Sequence, residues 1–298
     1  MSPQDEQRDI DKPAAWYSDT SLPSSFRNGW TTVMLTVGNG SRNIWRPRWS
    51  DLGDDELDRI CAAGKEVQFW TGVLQKTGGH PLSEILRGVD EIDYDRYYPD
   101  ANIYDSETGC QYFFHAHADR PEEFGHFHTY IMRDAIPDGM RAYYPAPTGK
   151  HDDPFVTHCH LVAVAMQRDG TPSELFTINH WAAQDAVYSA GQLMRLLDQF
   201  EIGHSEPSWP ANRWLTNLLR LFRPQLRQLF RHKVNRLELA RMADPDSHPQ
   251  SDEDLEVVSS MTISIERQLL EGTREIERRQ RLGNFAPNQL ETAQVLLG

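Results

Sequence analysis

Three strand-length runs in the middle of the chain each carry a His-x-His pair, and this pattern narrows the possible folds more than any other feature. In QYFFHAHA, His115 and His117 fall on one side of a two-residue alternation, with Phe114 and Ala116 on the other. GHFHTYI places His126 and His128 together in the same way. FVTHCHLVAV does so for His158 and His160, with Cys159 behind them. Of 12 histidines, eight lie between His115 and His180. Four strands are expected in this region: Gln111–Ala118, His126–Arg133, Phe155–Gln167 and Glu174–Ala182. The breaks between them carry Pro and Gly, as in Arg120-Pro121, Pro137-Asp138-Gly139, Pro145 to Pro154 and Asp169-Gly170. Connections this short favour antiparallel pairing, and Asp169-Gly170 predicts a tight hairpin between the last two strands.

The flanks read as helical, giving an α+β chain with an antiparallel sheet between N-terminal and C-terminal helices. Ser50 or Asp51 caps a helix reaching about Lys76, where Leu57, Ile60, Cys61, Val67, Phe69, Trp70 and Leu74 recur at helical spacing. Thr77-Gly78-Gly79 ends it, and a shorter helix spans Pro81 to Arg87. Further helices are expected over Gln184–Phe200 and from Pro210 to about Met242, the latter kinked at Pro224. Four segments follow: an irregular arm over 1–50 anchored by Trp16, Trp30, Trp45 and Trp49, a metal-binding domain over 51–242, a polar linker over 243–254, and a peripheral C-terminal helix within 255–298.

A hairpin of the first two strands sets the two histidine pairs nearly opposite each other, with cross-strand Cβ separations of roughly 4.5–5.5 Å. Imidazole nitrogens must converge to about 2.0–2.1 Å from an ion such as zinc, so this spacing suits metal binding. A lone strand histidine is ordinarily a satisfied core or surface residue. Six in three pairs are different, because clustered imidazoles repel when protonated and need partners when buried. The expected ligands are His115, His117, His126, His128 and, deeper in its strand, His160. His158 sits near a strand start, and either His180 or Asn179 reaches the site, depending on register. The hairpin loop adds Arg120, Glu122 and Glu123. One of these carboxylates can join the histidines as a ligand or serve as a general base, and Arg120 can clamp an anionic substrate. The alternative to a metal is a histidine-lined pocket for a phosphate or carboxylate.

The net charge of −14 argues against a nucleic-acid binder. A basic amphipathic stretch over 212–241 is expected to dock on the acidic body or on another subunit, which makes a homodimer through the C-terminal helices one option. No apolar run is long enough to span a membrane, and the polar, acidic start lacks the order of a secretory signal. Cys61, Cys110 and Cys159 form no CxxC pair, so structural zinc thiolates are excluded and a reducing, cytoplasmic setting is expected. GNGS at Gly38–Ser41 is not followed by a helix or by Lys-Ser/Thr, and no GxSxG elbow occurs.

The segment GCQYFFHAHADRPE, Gly109 to Glu122, resembles the first half of the cupin metal motif, a glycine, five residues, HxH and a glutamate. That resemblance implies a cupin-like half-barrel with His115, His117 and Glu122 as ligands. The downstream glycine spacing differs, and no second cupin motif follows. The blocks KTGG, QYFFHAH, GHFHTY, LFTINHW and SWPANRWLTNLLRLFRP, spread over residues 76–224, resemble an uncharacterised family of bacterial proteins. The pattern of that family has arginine where this chain has His180, which counts against His180 as a ligand.

These readings converge on a metal-dependent enzyme acting on a small molecule. The first expectation is a mononuclear non-haem iron (or copper) oxygenase, with Fe(II) as the leading ion and Phe113, Tyr130 and Trp181 shaping the pocket. A zinc-dependent hydrolase or lyase using Glu122 or Glu123 as base is the alternative. A non-enzymatic metal-binding or sensing protein is the third.

Overall fold

A computed structural model describes residues 47–118, 123–142, 158–183 and 185–283. The expected N-terminal arm therefore lies outside the described residues up to position 46, as does the start of the third expected strand. Helix α1 (Asp54–Gln75) buries Leu57, Ile60, Ala63, Val67 and Leu74 along one stripe. Its N-cap is Gly53 rather than Ser50 or Asp51, which form a single 3-10 turn with Trp49. Asp54, Asp55 and Glu56 occupy the first turn, where the helix dipole favours negative charge. Helix α2 (Pro81–Ile85) begins in a reciprocal cap between His80 and Ser83.

Six strands follow chain order in one antiparallel sheet, β1 (Tyr97–Asp105), β2 (Cys110–Ala116), β3 (Gly125–Met132), β4 (His158–Met166), β5 (Pro172–Ile178) and β6 (Val257–Thr262). One cross-strand row, Tyr98, Phe114, Phe127, Val164, Leu175 and Met261, runs the width of the sheet and is buried in the main core. The helices α4 (Ala190–Gln199), α5 (Trp209–Leu221) and α6 (Arg223–Ala243) contribute Leu193, Leu196, Leu218, Leu221, Leu226 and Phe230 to that core. Burial of this size drives folding at roughly 25 cal/mol for each Å² of apolar surface removed from water.

Several expectations change. The helix expected over 184–200 is shorter, with Ser189 and Gln192 forming a capping box at its start, and a brief α3 (His180–Ala183) precedes it. The long helix from Pro210 is two helices separated at Phe222, whose non-helical backbone precedes Arg223-Pro224. The run Val257–Thr262, expected inside the C-terminal helix within 255–298, is an edge strand instead, because it pairs with β5 through Ser260 opposite Phe176. The last helix, α7 (Ile265–Arg281), then docks on the start of α1, where buried Arg279 donates to Asp54, Trp49 O and Leu52 O. Arginines of the basic stretch pair with acids of the body: Arg213 and Arg220 with Glu201, and Arg223 with Asp198 and Glu56. Among the described residues, no helix is long and apolar enough to cross a membrane.

Candidate metal centre

The second face of the sheet carries the histidines. His115 stands opposite His126, and His126 opposite Ala165. The next row pairs Phe113 with His128 and His128 with Ala163. The alanine methyls on β4 leave room for the two rings above β3, and the ring of Phe176 meets His126 edge-on at 5.1 Å. A further row sets Tyr130 opposite His160.

His160 reaches this face because β4 contains one extra residue between the positions that pair with His128 and Tyr130. Strict alternation back from Ala163 would turn His160 toward the core. The bulge lets Leu161 and Val162 both face the core, and it returns His160 to the side of Ala163 and Ala165. Thr129 stabilises the irregularity, its hydroxyl donating to Val162 O at 2.7 Å and accepting from Val162 N at 3.3 Å.

His115, His117 and His126 each offer one ring nitrogen within 4.8 Å of the others, a grouping that can hold a metal ion. His117 Nε2 lies 3.2 Å from His126 Nδ1, close to the roughly 3.3 Å edge of a tetrahedron with metal–nitrogen bonds of about 2.0–2.1 Å. Glu123 brings Oε1 within 2.8 Å of the same His126 Nδ1. In the neutral His115 ring, Nε2–H donates to Tyr94 O at 3.1 Å, which makes Nδ1 the lone-pair nitrogen. His115 is half-buried, whereas His117 and His126 are buried.

The cluster continues inward. His126 Nε2 contacts His128 Nε2 at 2.8 Å, and His128 Nδ1 contacts His160 Nε2 at 3.1 Å. Burial holds His128 and His160 well below the ordinary histidine range, and neighbouring imidazoles lower both further. Both rings are therefore neutral at pH 7, with lone pairs to offer. Aromatic rings enclose them. Phe113 stacks on Tyr130 at 5.6 Å and lies 5.0 Å from His128, and Tyr130 lies 5.0 Å from His160.

The five histidines expected as ligands thus share one face, with three in the compact triad and two continuing from it. Glu123 is at the site, while Arg120 and Glu122 lie outside the described residues. His158 shares the face, but its Nε2 hydrogen-bonds Ala183 O at 2.8 Å. His180 is not on β5 but on α3, its ring turned to the backbone carbonyl of Asp185. Asn179 is occupied by backbone, donating to Pro249 O at 2.8 Å and accepting from His180 N. Cys159 lies in the core, and burial raises its thiol well above the usual range, so it offers no thiolate.

Sequence reasoning passed over Asp185, which is fully buried and accepts from His160 N at 3.0 Å where β5 no longer flanks β4. It also passed over the role of Ala163 and Ala165. The alternating small residues of VAVAM were the available signal for the alanines.

Fold and site together define an α+β protein whose antiparallel sheet carries a histidine group able to hold a metal ion. A family profile described as a domain of unknown function (DUF6969) matches residues 61–263, and the chain belongs to that family. No curated protein and no solved structure matches it.

Proposed function

We propose that the His115, His117 and His126 triad, with Glu123, holds a single transition-metal ion and that the protein is a non-haem iron or copper oxygenase acting on a small molecule. The observation that carries this reading is the donor set, three imidazoles and a carboxylate on a rigid sheet with no thiolate beside them. Nitrogen and oxygen donors of this kind suit Fe(II), Cu and Zn, and they exclude structural zinc of the cysteine type. The resemblance of Gly109–Glu122 to a cupin metal motif favours the same reading. An iron or copper ion would supply binding and activation of dioxygen.

The chain's own residues supply the rest. The sheet fixes the backbones of His115 and His126, and His117 N–H donates to Phe124 O just past the end of β2, which lowers the entropic cost of assembling the centre. Half-buried His115 leaves an outward side for substrate, while Phe113 and Tyr130 exclude water from the inner side. Glu123 accepts a hydrogen bond from His126 Nδ1–H, and it would be the carboxylate ligand of a bound ion. The same position makes Glu123 a suitable general base, and this favours a zinc hydrolase or lyase as the second reading.

The test is elemental analysis of protein purified without a histidine tag, followed by oxygen-uptake assays on a library of small molecules. Stoichiometric iron or copper, lost in His117→Ala, with oxygen consumed by the parent alone, is the expected result. Zinc with oxygen-independent turnover would replace it with the hydrolase. A parent that takes up no metal after reconstitution would remove both.

A further inference from the structure

His126 turns its two ring nitrogens to groups able to bind metal on opposite sides, and His128 continues the chain inward to His160. His126 Nδ1 faces His117 Nε2 at 3.2 Å and Glu123 Oε1 at 2.8 Å, and His126 Nε2 faces His128 Nε2 at 2.8 Å. We propose that His126 is shared by two metal ions, one in the His115, His117 and His126 triad and a second held between His126 Nε2 and His128 Nε2. This rests on the metal-binding reading given above and adds a second ion to it.

The protons of the ring chain carry the argument. Each contact between neutral imidazoles needs one N–H and one lone pair. With no ion present, the Glu123 carboxylate requires the proton at His126 Nδ1. With His126 neutral, its Nε2 accepts from His128 Nε2–H, and His128 Nδ1 accepts from His160 Nε2–H. The chain ends at a bare lone pair on His160 Nδ1, which is buried and has no hydrogen-bond partner among the described residues. Asp185 Oδ1 is a second buried acceptor with no hydrogen-bond partner, although Asp185 takes the backbone N–H of His160 through Oδ2 at 3.0 Å. Two buried acceptors, one on each of these two bonded residues, are left without a donor, an expensive arrangement.

An ion between His126 Nε2 and His128 Nε2 reverses the chain. Both nitrogens then give lone pairs to the ion, so His128 carries its proton on Nδ1 and donates to His160 Nε2. His160 in turn carries its proton on Nδ1 and becomes a donor, the kind of group that Asp185 Oδ1 lacks. Loading both ions displaces the remaining His126 ring proton to solvent and leaves an imidazolate whose negative charge lies between the two cations.

The surroundings fit a cation at this position rather than deeper. Ala163 and Ala165 stand opposite His128 and His126, so only methyl groups lie beside the two rings on β4. Glu123 at one end and Asp185 at the other provide negative charge. Buried Lys233 acts as a positive charge on His160, which disfavours an ion at the innermost ring and favours the His126–His128 position. Two imidazoles from the protein leave further coordination positions for solvent or substrate, and nitrogen donors of this type suit Cu(II) and Zn(II).

The experiment is a copper titration of the full chain after chelator stripping, read by elemental analysis and by electron paramagnetic resonance. The expected result is about two copper ions per chain, with an integrated spin well below the copper content because the shared ring couples the two centres. His128→Gln should bind about one ion and show its full spin. One ion with full spin in the parent would overturn this proposal and leave the mononuclear centre standing. Two ions with full, uncoupled spin would also overturn it, because the ring would not be shared. No bound ion in the parent would overturn both readings. The parent's spin decides the matter even where the His128 variant folds poorly.

Discussion

Acid should destabilise this protein through two particular rings. Burial holds His128 well below the usual histidine range, and the imidazoles of His126, His115 and His117 lower it further. Burial does the same to His160, reinforced by His128, the Lys233 ammonium and His158. In the unfolded chain both return to about 6.5. Above that pH both rings are neutral in either state, and their contribution to stability is fully present. As pH falls below about 6.5 the unfolded chain takes up two protons that the folded chain refuses, and stability is lost progressively toward the depressed folded values. The linkage is about 1.4 kcal/mol per pH unit for each group, so moving from pH 7.5 to 5.5 costs about 2.7 kcal/mol for the pair. That is a large part of a typical folding free energy of about 5–15 kcal/mol. The carboxylates Asp105, Glu201 and Glu275 are all shifted downward, so their contributions are lost only at more acidic pH and stay outside this window. His80 is also lowered, by burial against the opposing effect of Asp169, and it falls inside the window. The measurement is therefore urea unfolding of chelator-stripped protein at constant ionic strength between pH 7.5 and 5.5, comparing the parent with a His128→Gln, His160→Gln double variant. The variant should lose about two protons from the slope. A parent whose stability is flat across the range, or a variant with the parent's slope, would refute the reasoning.

Two further substitutions test the scaffold. Gly125→Ala places a methyl 2.1 Å from His115 O and 2.5 Å from the Phe114 ring, backbone and aromatic atoms that cannot step aside. It should cost at least about 3 kcal/mol in a denaturation experiment, and parental stability would mean the β2–β3 register is wrong. Asp185→Ala strands the buried N–H of His160 and should cost about 1–3 kcal/mol, most of it recovered in Asp185→Asn, which keeps an acceptor. Equal losses in both variants would show that the carboxylate acts through its charge instead.

The central strands were legible because their composition and environment agree. β2 and β3 alternate cleanly, and β4 does so on either side of its bulge, with a buried apolar face and a histidine face that the sequence showed without tertiary information. The edge strands were hidden for opposite reasons. β1, YYPDANIYD, contains Pro, two Asp and Asn, residues depleted in strands, and its register shifts between Tyr98 and Ile103. β6, VVSSMT, is short and lies just before a strong helical pattern, so nothing local separates it from that helix. Both edges exist because β2 and β5 offer unpaired backbone, which is a tertiary condition. Asp185 was invisible for a similar reason, since a carboxylate in a loop acquires its role only where β5 stops short of β4.

The hardest feature to foresee is also the one on which the extended cluster depends. Period-two alternation says that His158 and His160 share a face, but not that this face is the one holding Ala163 and Ala165. The parity between His160 and Ala163 is wrong for a regular strand, and a regular β4 would turn His160 into the core against the helices. One extra residue corrects the parity at the cost of a locally broken ladder. Thr129 offsets part of that cost, its hydroxyl serving both the N–H and the C=O of Val162 from the opposite face of the sheet. A valine there would match the side-chain volume but leave those backbone groups unanswered. The inner half of the histidine cluster is therefore supported by a residue that touches none of its rings.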